Sequence, residues 1–215
     1  MTAPIGLLGG TFDPIHIGHL RTAIQSMERL GLAEVRLLPN HIPPHRATPA
    51  SAPAHRLAMV RLAAAATPGL TVDARELNRQ TPSYTIDTLI ELRRELGSRP
   101  LCFLMGMDSL CGLNGWHRWR ELLDHAHLVV SHRPGWQPAF NPEVEALFHR
   151  HGTRDRERLH HQPAGCIHLL DNPELEISSS RLRECIRSGN NPQYLLPETV
   201  ADYIREQGLY QGPVL

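Results

Sequence analysis

The chain has 215 residues, 41% of them hydrophobic and 20% charged, enough for one ordinary α/β domain with a sizeable core. Its 22 basic residues balance 22 acidic ones, and every basic residue is arginine. The missing lysine excludes the G-x-x-x-x-G-K-[ST] phosphate loop, Schiff-base and pyridoxal phosphate chemistry and a typical kinase site, while zero net charge argues against a general nucleic-acid binder.

The apolar run Ile5–Gly9 predicts a buried strand, followed by a helix from about Gly18 to Leu30. Glu34–Pro39 predicts the next strand. Asn40–Pro53 carries four prolines in fourteen residues and predicts an exposed loop. Helices are expected over Ala54–Ala66 and Ser83–Leu96, and strands over Leu70–Ala74 and Leu101–Gly106. The segment from Trp116 to Ala126 predicts a helix, and His127–Arg133 a strand. Asn141–Arg158 is polar and charged, without a predicted element. A strand from Gly165 to Leu170 precedes two helices, at Ile177–Gly189 and Pro197–Gly208. Strands that are continuous apolar runs, alternating with helices, predict a doubly wound, Rossmann-like parallel sheet covered on both faces, with a small C-terminal helical part. No repeat or linker interrupts the chain, so residues 1–215 read as a single domain.

The four cysteines (102, 111, 166, 185) form no C-x-x-C pair, which speaks against a zinc ribbon or a thioredoxin-like motif and fits a reducing cytoplasm. The N-terminal stretch lacks a basic leader, and no run approaches the ~18 apolar residues of a membrane span. No membrane or nucleic-acid partner is expected. Oligomeric state stays open, a homo-oligomer included.

Ligands of an open parallel sheet bind beyond the carboxyl ends of its strands. The first such loop reads Gly9-Gly10-Thr11-Phe12-Asp13-Pro14-Ile15-His16-Ile17-Gly18-His19. Its glycines allow close approach of a ligand to the backbone. His16 and His19 stand three residues apart at a helix start, on one side, where free N–H groups and the helix dipole favour an anion. Gly18 between them leaves room for a phosphate chain. Two imidazoles, at least partly protonated beside a polyphosphate, would stabilise developing negative charge. A metal site is not expected, because no third ligand lies close in sequence.

Ile177-Ser178-Ser179-Ser180-Arg181-Leu182-Arg183 opens a helix near the end of the chain. Serine is a good N-cap, yet Arg181 and Arg183 lie where the dipole disfavours cations. A bound polyphosphate would relieve that conflict through serine hydroxyls, N–H groups and a guanidinium fork.

Both segments resemble the nucleotidyltransferase superfamily, the first its [HT]-x-G-H opening and the second its I-S-S-[ST]-x-[IL]-R signature. Pro43-Pro44-His45-Arg46, Ser83-Tyr84-Thr85-Ile86-Asp87-Thr88-Leu89, Gly106-Met107-Asp108-Ser109 with Trp116, and the C-terminal stretch ending at Tyr210 resemble the bacterial nicotinate mononucleotide adenylyltransferase family. Many relatives carry lysine where Arg46 stands and an aromatic where His117 stands. The resemblance implies ATP and nicotinate mononucleotide as substrates, and Mg²⁺ held mainly through ATP phosphates. It implies His16, His19 and Arg183 as catalytic residues. Gly9, Gly10, Thr11, Phe12, Gly18, Gly106, Asp108, Arg133, Ser178, Ser179 and Ser180 would bind ATP. Asp13, His45, Arg46, Tyr84, Thr85, Trp116 and His117 would bind the mononucleotide. Plainer readings stand beside these: Trp116 as core, Asp108 as a helix cap, His45 as a solvated loop residue, Arg133 as surface. A sister enzyme acting on nicotinamide mononucleotide or pantetheine phosphate, or a nucleotide-binding module without turnover, are the alternative functions.

Overall fold

The computed structural model describes residues 2–42, 48–132, 140–172 and 175–211. His45, Arg46 and Arg133, expected at the site, lie outside the described residues.

Seven parallel strands form one sheet in the order β3-β2-β1-β4-β5-β7-β6. They are β1 (Ile5–Gly10), β2 (Glu34–Pro39), β3 (Leu70–Val72), β4 (Leu101–Gly106), β5 (His127–His132), β6 (Gly152–Thr153) and β7 (Ile167–Asp171). The helices are α1 (Ile17–Leu30), α2 (Pro53–Ala65), α3 (Thr85–Leu96), α4 (Met107–Cys111), α5 (Leu122–His125), α6 (Pro142–His151), α7 (Arg158–His161), α8 (Ser179–Arg187) and α9 (Glu198–Glu206). Strand side chains alternate between two buried layers. Leu8, Val35, Leu37, Cys102, Leu104 and Val129 pack against α1, α2, α8 and α9. Ile5, Leu7, Phe103, Met105, Leu128 and Val130 pack against α3 to α6. The expected doubly wound α/β architecture is therefore present, because strands buried on both faces need the continuous apolar runs seen in the sequence.

The centre of the sheet positions the site. β1 pairs with β4 only as far as Leu8 opposite Leu104. Gly9 and Gly10 then continue along β2, while Met105 and Gly106 continue along β5. The two strands part at the point where strand order reverses, and this opens the crevice such sheets use for ligands.

Three local expectations change. The expected 116–126 helix breaks up: Arg118 adopts a left-handed conformation (φ 50°), and only a 3₁₀ turn (Trp119–Glu121) and α5 follow. The polar 141–158 segment contains α6, whose start is well specified. Pro142 sits in the first turn, and the Asn141 side chain accepts from the Val144 N–H at 3.0 Å. Val144 seals that helix into the core with no exposure. In the 40–53 loop, Ser51 is buried rather than exposed.

At the opposite end of the sheet from the crevice, one guanidinium ties four segments together. Arg93 of α3 donates to the carbonyls of Gly97 and Arg99, both at 2.7 Å, and to those of His125 and Pro163. Arg93→Met would leave these carbonyls short of a donor. The expected loss is ~2–4 kcal/mol of unfolding free energy in urea, with an unchanged fold by circular dichroism at about 25 °C.

Candidate active site

The crevice widens into a cavity of about 890 Å³, within the range of small-molecule sites. Every described residue expected at the site lines it. Gly9, Gly10, Thr11, Phe12 and Asp13 come from β1 and its loop, and His16, Gly18 and His19 from the start of α1. Tyr84 and Thr85 open α3. Gly106 ends β4 and Asp108 follows it, Trp116 and His117 follow the next turn, and Ser178 caps α8, which carries Ser179, Ser180 and Arg183.

His16 is the N-cap of α1, with extended backbone, and His19 is its third helical residue. Their rings stack with centroids 3.6 Å apart. The His16 N–H donates to His19 Nδ1 at 3.3 Å, so a neutral His19 carries its proton on Nε2. Phe12 buttresses the His19 ring edge-to-face at 5.0 Å. It is buried in a left-handed conformation (φ 48°), so its ring packs inside the protein and only the loop backbone is left toward the cavity. A Cβ on Gly10 would stand 2.8 Å from the Phe12 ring, and one on Gly18 3.0 Å from His16 Nδ1. Gly18 thus makes room first for an imidazole.

The charge expected on the two imidazoles changes at His16. Burial pushes this imidazole from its ordinary 6.5 down to about 4, so it is neutral at pH 7 when the cavity is empty. A bound polyphosphate would raise it again.

The second motif is clamped onto the first. Arg183 donates to the carbonyl of Asp13 at 2.6 Å, and the Ser179 hydroxyl donates to the carbonyl of Pro14 at 3.0 Å. Ser178 is the N-cap and accepts from the Arg181 N–H at 3.3 Å. Arg181 is exposed, whereas Arg183 is half-buried. The carboxylate of Asp13, expected at the mononucleotide, is 3% exposed and fully engaged. It accepts from the Ala50 N–H at 2.6 Å, from the Ser51 hydroxyl and from Tyr210 at 2.7 Å.

Across the cavity the wall is aromatic. Trp116 meets Phe103 edge-on, with centroids 6.1 Å apart, and is half-buried. It both packs on the core and faces the cavity. Tyr84 and His117 lie against each other at 4.3 Å. Thr85 is the first residue of α3, where N–H groups have no intrahelical acceptor and the dipole is positive. Asp108 is exposed in the first turn of α4, but the N-cap there is Gly106, so Asp108 is not a cap.

Three contributors escape sequence reading. Arg56 of α2 is fully buried and donates to the carbonyls of Thr11 (2.8 Å) and Asn40 (2.6 Å), fixing the ends of β1 and β2. Glu76 is a buried cavity-lining acid that accepts from the Thr88 hydroxyl at 2.6 Å, and burial pushes its carboxyl up. Tyr210 was visible only as part of the C-terminal resemblance. Of the other two, Arg56 leaves a signal, because it occupies an apolar-stripe position with Met59, Val60, Ala63 and Ala64.

A cytidylyltransferase-like family model matches residues 7–185. A protein of Aeromonas salmonicida named "Probable nicotinate-nucleotide adenylyltransferase" is 64% identical over 212 residues, 99% of each chain. A protein of the same name from Aeromonas hydrophila is 64% identical over 97% of each chain. The structure of Plasmodium falciparum nicotinic acid mononucleotide adenylyltransferase complexed with NaAD superposes with a TM-score of 0.71 at 17% identity, over 97% of each chain. At that identity the likeness concerns the fold.

Neutral burial of His16 has a measurable consequence. Its folded pKa lies below the unfolded value, so the stability it contributes is complete above pH 6.5 and is lost as pH falls toward 4. His127, also pushed down to about 4 by burial, adds the same dependence. Urea unfolding should show stability falling across that window by roughly 2–3 kcal/mol per histidine. His16→Gln should remove one share of the slope, and an unchanged slope would contradict the neutral state.

Proposed function

The chain belongs to the cytidylyltransferase-like family, and on that premise we propose that it transfers the adenylyl group of ATP to nicotinate mononucleotide, giving nicotinate adenine dinucleotide and pyrophosphate. The observation that carries this reading is the single cavity that joins two phosphate-type motifs at one end to an aromatic wall with a helix N-terminus at the other. The names of the two Aeromonas relatives support it.

In this reading a phosphate oxygen of the mononucleotide attacks the α-phosphorus of ATP in line. One P–O bond forms, the α–β bridge breaks, and the electron pair leaves with pyrophosphate. The nucleophile is already anionic, so the protein's work is positioning and charge stabilisation. His16 and His19 would hold the α- and β-phosphates, His19 through its Nε2–H. Arg183, Ser180 and the first N–H groups of α8 would hold the leaving pyrophosphate. Ser178 and Ser179 would act through the cap and the clamp. Asp108 would accept from ribose hydroxyls. Trp116 would stack on the nicotinate ring, with the Thr85 and His117 N–H groups toward its carboxylate.

Among the described residues, the donors around the phosphate end are hydroxyls, imidazoles and the Arg183 guanidinium. Among the described residues no three His, Cys, Asp or Glu side chains form a metal-holding group. This wall fits a Mg²⁺ carried by ATP oxygens and water, with Thr11 and Ser180 among the hydroxyl residues that line the cavity. When bound, the ion would neutralise phosphate charge. We place the enzyme in the cytoplasm, a reading that its free cysteines support.

Pyrophosphate release assayed across candidate mononucleotides tests the reading. His19→Ala should lower kcat/KM by at least about 10²-fold, and near-wild-type activity in this variant would refute its assignment. Nicotinate mononucleotide should be preferred to its amide, whose NH₂ would meet N–H donors with another donor. Equal kcat/KM for the two would sink the acceptor-pocket assignment.

A further inference from the structure

We propose that Tyr210 is a positioning residue for adenylyl transfer, holding the buried Asp13 carboxylate and, through that residue, the seat of Arg183. The proposal rests on the function just described and names a residue outside the cavity wall.

Asp13 is held at two ends. Its carboxylate Oδ1 accepts from the Tyr210 phenol at 2.7 Å, from a residue 197 positions later in the chain, and from the Ser51 hydroxyl. Its Oδ2 accepts from the Ala50 N–H at 2.6 Å. Its backbone carbonyl is the acceptor that seats Arg183 at 2.6 Å, and the same guanidinium stands 3.9 Å from Oδ2. The orientation of this one residue therefore sets three things: the arginine, the loop that turns into His16, and the cavity-lining Thr48–Ala50 segment.

The chain goes to some length to bring the phenol there. After α9, Gly208 and Tyr210 both take left-handed backbone (φ 60° and 62°). Tyrosine seldom adopts that conformation. The turn carries the ring back over the first motif, where burial and the adjacent Asp13 push the phenol up and keep it protonated as a donor. An ordinary packing role would need the ring alone. The hydroxyl is the group aimed at Asp13, at 2.7 Å, with the Ser51 oxygen 3.1 Å from it.

Tyr210→Phe keeps the ring and removes that donor. Pyrophosphate release with ATP and nicotinate mononucleotide should show kcat falling about tenfold, with both KM values within about twofold, because Arg183 acts on the departing charge more than on the bound substrate. Asp13→Asn should lower kcat further. The double variant should be no worse than Asp13→Asn alone, since both changes break one network. Tyr203→Phe is the control. Its oxygen lies 2.9 Å from His55 Nδ1, a link between α9 and α2 away from the cavity, so it should lose comparable stability and keep wild-type kcat. The proposal is overturned by a Tyr210→Phe enzyme with wild-type kcat, by an equal kcat loss in Tyr203→Phe, or by additive effects in the double variant. Failure of the underlying function looks different: the wild type itself would release no pyrophosphate.

Discussion

Two hydrogen bonds hold the candidate site together: Arg183 to the Asp13 carbonyl and the Ser179 hydroxyl to the Pro14 carbonyl. A parallel sheet delivers the loop after β1 to the crevice whatever its neighbours do. It does not deliver α8, which follows the sheet's last strand. The clamp brings the N-terminus of α8 against that of α1, so two positive helix ends and a guanidinium face one volume. Such an arrangement repels itself when empty. The Asp13 and Pro14 carbonyls supply the opposing dipoles, and this lets the donors wait in place instead of gathering around the ligand.

The absence of lysine gives the wall a particular character. Arginine presents a planar fork of fixed charge and hydrogen-bond geometry, whereas an ammonium is a mobile point charge. His16 is neutral at pH 7, since burial pushes it to about 4. Apart from helix dipoles, the permanent positive charge placed by the clamp is thus Arg183. Phosphate binding in this reading relies on oriented N–H and O–H groups, whose reorganisation is small when charge moves from the α-phosphate to the leaving group.

What could be read from the sequence follows the range of the interactions. The strands were legible because burial on both faces demands apolar runs, and the His16–His19 and Ser178–Arg183 segments because each is contiguous in sequence, although the partners that clamp Ser179 and Arg183 lie 165 and 170 residues away. α6 was legible in principle, through Asn141-Pro142 at its start, and its polar exposed face hid it. Arg56, Glu76 and Tyr210 depend on partners far away in sequence. Nothing local distinguishes a solvated arginine from one that serves the Thr11 and Asn40 carbonyls, although its place on the apolar stripe of α2 is a hint. Asp13 shows the opposite case. Its motif suggested a ligand contact, while its three carboxylate partners lie 37, 38 and 197 residues away.

The two ends of the cavity are therefore built on different principles. The phosphate end depends on contacts between distant segments. The acceptor end depends on one helix start, that of α3, held by its own contacts with the segment after β2. That start is pinned: the Ser83 hydroxyl accepts from the His41 N–H at 2.9 Å, and the Ser83 N–H donates to Ile42 at 3.0 Å. Glu76, Thr88 and Arg79 brace it from behind. If a carboxylate is recognised there by main-chain N–H groups, the preference for acid over amide belongs to the conformation of the Ser83–Thr85 turn and to no side chain in particular. Substitutions that leave this turn intact would then change affinity for the ring without reversing the choice between acid and amide.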